Sequence, residues 1–88
     1  MHERRLAQSL VRSAGLAALG EGASRVSALR LRVGALSHID PDSLRGQVEW
    51  WSQGTIVEGA RIEVEQAGSD IDDRHSQDVT LVSLDVEP

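Results

Sequence analysis

The run Leu29-Arg30-Leu31-Arg32-Val33 constrains this chain more than any other segment. Apolar and charged residues alternate with the period of an extended strand. Leu29, Leu31 and Val33 therefore share one face, and Arg30 and Arg32 the other. The apolar face needs a covering layer, whereas the arginine face stays wet or meets acidic partners. The surrounding residues predict a strand over about Arg25–Val33. With 88 residues the chain has room for one small domain, taken as 1–88. Such a domain buries only about 60–65% of its potential surface, so a partner or a homodimer would help it.

Two helices are available as cover. Over residues 3–20, Leu6, Leu10, Ala14 and Ala17 form one stripe that Val11 widens, while Arg4, Arg5, Gln8 and Arg12 fall largely elsewhere. Gly20-Glu21-Gly22 provides the stop. Asp40-Pro41 starts a second helix, because Asp40 can cap free amides and Pro41 at the first helical position loses no hydrogen bond. That helix is expected to run to Gln53, with Leu44, Val48 and Trp51 inward and Gly54 ending it.

Two further strands follow, Ala60–Glu65 and Val79–Val86. In the first, Ile62 and Val64 point inward. The second offers Val79 and Leu81 on one face and Val82, Leu84 and Val86 on the other, which leaves its orientation open. The expected architecture is α+β, order α-β-α-β-β, with two helices on one face of a three-stranded sheet. The last two strands are expected to form a hairpin, with the polar segment 66–78 at its tip.

Composition removes several functions. The absence of cysteine excludes disulfides, thiolate metal sites and cysteine nucleophiles. A net charge of −5, with arginine but no lysine, argues against a general nucleic-acid or anionic-membrane surface. No apolar run reaches transmembrane length and no signal-peptide core is visible, so a cytoplasmic location is expected. No nucleophile–base pair, phosphate loop or catalytic carboxylate pair emerges, so the chain does not read as an enzyme. Of the adjacent Trp50 and Trp51, one is expected to pack inward and the other to offer an interface. Arg4, Arg5 and Arg12 are candidates for meeting an acidic partner.

The strongest candidate site is Met1-His2-Glu3. A free terminal amine and the His2 amide form a five-membered chelate ring with a metal, and that amide with imidazole Nδ1 closes a six-membered one. This mostly nitrogen set suits Ni²⁺ or Cu²⁺ better than Ca²⁺ or Mg²⁺. The early amides of the following helix have no intrahelical acceptor, so ionising one of them breaks no helical bond. His38, just before the second helix, reads as a surface or capping residue. His75 sits among Asp70, Asp72, Asp73 and Asp78, a spacing that does not satisfy a calcium-loop pattern.

Four stretches carry a family likeness: Met1-His2-Glu3 with its helix, Leu29–Ser37, Gly54–Glu65 and Val82–Glu87. In this order and spacing they resemble the HypA/HybF family, nickel metallochaperones of nickel–iron hydrogenase maturation, over about 1–66 and 78–88. The resemblance implies Ni²⁺ held by the Met1 amine, the His2 imidazole and nearby backbone nitrogens, with Glu3 supporting the site or partner contacts. It also implies a GTPase partner, delivery to the hydrogenase large subunit and, in some relatives, service to urease. Family members carry a zinc domain with two Cys-x-x-Cys pairs between the last two strands. Here the loop 66–78 stands in its place, and a thiolate zinc domain cannot fold without its ligands. The expected function is a nickel-binding accessory protein. The alternative is a structural or protein-interaction module that keeps the fold without the metal.

Overall fold

The computed structural model describes residues 3–35, 37–67 and 79–88. Helix α1 spans Glu3–Gly20, strand β1 Arg25–Val33, helix α2 Pro41–Ser52, strand β2 Arg61–Gln66 and strand β3 Val79–Glu87. The order and class match expectation, with β2 shifted one residue along the chain and α2 ending one residue early.

Each helix terminus has a local cause. Gly22 adopts φ 73°, so its amide reaches Leu19 O at 3.0 Å and the Ala23 amide reaches Ala18 O at 3.0 Å. These two bonds satisfy carbonyls that the helix end would leave open, and a glycine carries the left-handed conformation without strain. At α2, the Asp42 amide donates to Asp40 Oδ1 at 3.4 Å, with Pro41 at the first helical position.

The packed face of α1 differs from the expected stripe. Ala7, Leu10, Val11, Ala14 and Ala18 are buried, whereas Ala17 is exposed and Leu6 only half-buried. Ala7, Ala14 and Ala18 are wholly inaccessible. A column of methyl-sized side chains lets the helix backbone approach the core closely, and this sets the helix rotation where the larger Leu6 alone would not.

The sheet order is β2-β1-β3. β1 runs parallel to β2 and antiparallel to β3. The expected hairpin between the last two strands is therefore wrong, since they occupy opposite edges of β1. A strand that returns through a helix lies parallel to its predecessor, so α2 delivers β2 to one side and leaves the other for β3. Gln66 and Val79 both sit in register with Val33, which places these two residues at the same end of the sheet.

Two irregularities in the β1–β3 ladder settle which side chains face the core. Arg30 pairs with Ser83 but Leu31 with Leu81, so Val82 is an extra residue. This bulge brings Val79, Leu81 and Leu84 onto the core side, while Val82 is exposed. The simple alternation that divided these residues between two faces does not survive it. A second bulge at Ser27 lets Val26 join Leu29, Leu31 and Val33 beneath the helices, where Leu44, Val48 and Val57 complete the fully buried centre.

Candidate functional site

The outer face of the sheet is charged and internally balanced. Arg30 donates from Nη1 and Nη2 to Asp85 Oδ1 and Oδ2 at 3.2 and 3.1 Å, and its Nε lies 3.6 Å from Glu63. Arg32 pairs with Glu65 at 3.0 Å and Arg61 with Glu63 at 2.8 Å. The acidic partners expected for the arginine face are thus supplied by β2 and β3. Its hydrogen bonds to Arg30, reinforced by the opposite charge, hold the Asp85 carboxyl below the usual carboxylate range and raise the Arg30 guanidinium in turn. Three cations meeting three anions make this a self-satisfied surface.

The start of α1 has a different character. Glu3 is its first residue and is half-buried. The guanidinium of Arg4 lies 5.7 Å from the centroid of the Trp51 ring, which clasps the first turn of α1 to the last turn of α2. Trp51 packs against the core, and its indole Nε1 is buried without an acceptor among the described residues. Trp50 is 64% exposed, so one of the two tryptophans packs inward as expected and the other faces solvent. Arg5 follows, and the helix dipole adds positive potential at the same end. A cation held there would be repelled by its surroundings, Glu3 apart. Only strong coordinate bonds to nitrogen could offset that field, which disfavours hard, oxygen-seeking ions.

Met1 and His2 lie outside the described residues, as do His75 and Asp70, Asp72, Asp73 and Asp78. His38 is exposed with φ 60°, following Ser37, whose Oγ accepts from the Ile39 amide at 3.3 Å. Among the described residues, no three His, Cys, Asp or Glu side chains converge on a point that could hold a metal. No described helix is long and apolar enough to cross a membrane.

One feature escaped the sequence reading. Along the flank of α1, Arg5, Arg12, Leu16 and Leu19 line an open groove of about 660 Å³, walled opposite by Trp51 and Ile56. Leu16 and Leu19 are 60% and 61% exposed, although they are large apolar residues. Their only sequence signal is that they fall off the buried stripe; the far wall comes from residues more than thirty positions away.

Comparison with known proteins adds a family context. A family model described as hydrogenase/urease nickel incorporation, metallochaperone, hypA, matches residues 1–83. The hydrogenase maturation factor HypA of Methanopyrus kandleri is 42% identical over 65 residues, covering 74% of this chain and 46% of that protein. Its counterpart from Roseiflexus sp. is 44% identical over 66 residues, covering 75% and 54%. The chain spans about half the length of these curated relatives. The solution structure of the Ni metallochaperone HypA from Helicobacter pylori superposes with a TM-score of 0.85 at 15% identity, covering 99% of this chain and 98% of that one. At that identity the likeness is one of fold.

Proposed function

The chain belongs to the HypA family, a family of metallochaperones and not of enzymes, and from that premise we propose that it is a nickel-binding accessory protein of nickel–iron hydrogenase maturation. The ligands in this reading are the Met1 amine, the His2 amide and imidazole, with Glu3 beside them. Ni²⁺ is cargo, taken up and passed on by ligand exchange. A cytoplasmic location, a maturation GTPase and the hydrogenase large subunit as partners belong to the same reading.

The observation that carries it is the onset of α1 at Glu3. A helix that begins there has first-turn amides without intrahelical carbonyls, so metal binding in place of an amide proton sacrifices no helical bond. The family match also begins at residue 1, so the terminal tripeptide lies within it. His2 binds as neutral imidazole, and affinity falls as the pH drops below about 6.5.

Calorimetric titration of the protein with a free Met1 amine tests this directly. The expected result is one strong Ni²⁺ site that Ca²⁺ and Mg²⁺ do not contest. His2→Ala or acetylation of the amine should weaken it by about 1.4 kcal/mol or more, a tenfold loss. Identical titration curves for native and acetylated protein would refute the site.

A second reading, a protein-interaction module that keeps the fold without the metal, draws on the exposed Trp50 and on the absence of cysteine for a zinc domain. Under that reading Trp50→Ala disturbs assembly in sedimentation, whereas blocking the amine changes nothing.

A further inference from the structure

The arginines among the described residues differ in their partners. Arg30, Arg32, Arg45 and Arg61 each pair with a carboxylate. Arg4, Arg5, Arg12 and Arg25 have no carboxylate within ion-pair distance among the described residues; Arg4 lies over the Trp51 ring, and of the other three Arg5 and Arg12 line the groove that Leu16 and Leu19 continue. The spacing from Arg5 to Arg12 is seven residues, from Arg12 to Leu16 four and from Leu16 to Leu19 three. This strip follows one flank of the helix, cationic in its first half and apolar in its second, over about 21 Å at 1.5 Å per residue.

We propose that this flank of α1 is a docking surface for an acidic amphipathic helix of another protein, with carboxylates against Arg5 and Arg12 and apolar side chains between Leu16, Leu19 and Ile56.

The groove is preformed. Val26 donates its amide to Ile56 O at 2.8 Å, and Thr55 Oγ1 donates to Ser52 O at 2.7 Å, so the far wall is tied to both β1 and α2. A single exposed leucine needs no explanation, but two on one flank opening onto Trp51 and Ile56 form a continuous apolar patch. Charge chooses the occupant. The molecule carries a net −5, so a polyanionic surface meets general repulsion and only a short basic strip. A second copy fits poorly: parallel pairing of two α1 flanks sets arginine against arginine, and antiparallel pairing sets arginine against leucine. A partner segment with acidic and apolar halves satisfies both halves of the strip, and a helix matches its length and straightness. The surface lies outside the metal reading and stands without it.

The test uses the apoprotein in EDTA, which separates its outcome from any outcome for nickel. Two fluorescein-labelled synthetic helices serve as probes, one with glutamate in one half of its face and leucine in the other, and one with lysine replacing glutamate. Anisotropy should show the glutamate helix binding the wild-type chain, with ¹⁵N amide shifts confined to α1, residues 55–56 and the Trp51 indole. Arg5→Glu/Arg12→Glu should weaken it at least tenfold and admit the lysine helix; Leu16→Ser/Leu19→Ser should weaken both. These side chains point outward, and circular dichroism verifies that the variants stay folded. Shifts that map elsewhere, or equal binding by all three proteins, would overturn the proposal. So would binding to phosphatidylglycerol vesicles without binding to the glutamate helix, or a dimer that Leu16→Ser/Leu19→Ser dissociates.

Discussion

Ala17 and Ala18 are chemically identical neighbours, and enlarging each in turn measures the rotation of α1. Ala18 has no accessible surface and sits where the helix end meets the core, with Ala23 packed nearby in the terminating turn. Ala17 is exposed. Ala18→Leu forces three extra carbon atoms into a closed site, a kind of overpacking that costs about 1–3 kcal/mol. Ala17→Leu places the same atoms in solvent and should change stability by no more than about 0.5 kcal/mol. For a domain of this size each kcal/mol moves the midpoint by about 4–8 °C. Ala18→Leu should therefore lower Tm by about 4–24 °C, and Ala17→Leu by no more than about 4 °C. Thermal melts by far-UV circular dichroism read the difference, and urea titrations with an unchanged slope verify that stability itself has moved. Equal losses, or a larger loss at Ala17, would refute the packing described for α1. The groove would fall with it, since the same rotation carries Arg5, Arg12, Leu16 and Leu19 to the open flank.

The remaining expectations concern the cap and the charged sheet face. Asp40→Ala removes the acceptor for the Asp42 amide; with the bond at 3.4 Å the cost should sit near the lower end of about 0.5–2 kcal/mol, and Asp40→Asn should restore most of it in the same thermal melts. The carboxyl of Asp85 is held below its ordinary value by Arg30. Its contribution to stability is complete above the unfolded value of about 3.9 and disappears as the pH falls through the lower folded value. Wild-type Tm should accordingly fall more steeply than that of Asp85→Asn below about pH 4, and parallel curves would show that the pair contributes nothing.

The proposed terminal metal site could be read from the sequence because its ligands would be neighbours in the chain, so ring size follows from covalent structure alone. The docking groove was not. Arg4, Arg5 and Arg12 were visible as cations that could meet an acidic partner, but Leu16 and Leu19 acquire meaning only when Trp51 and Ile56 close the opposite wall, more than thirty residues away.

The same division runs through the fold. The alternation of Leu29–Val33, the Asp40-Pro41 start and the Gly20-Glu21-Gly22 stop act over a few residues, and they determined the elements and their order by sequence alone. Strand neighbours, the exact buried face of α1 and the two bulges were decided only by tertiary structure. A register is a relation between distant segments: the extra residue at Val82 exists only relative to Arg30 and Leu31 across the ladder. No periodicity within β3 can encode it, because it arises when Val79, Leu81 and Leu84 must all meet one core that α1, α2 and β1 have already shaped.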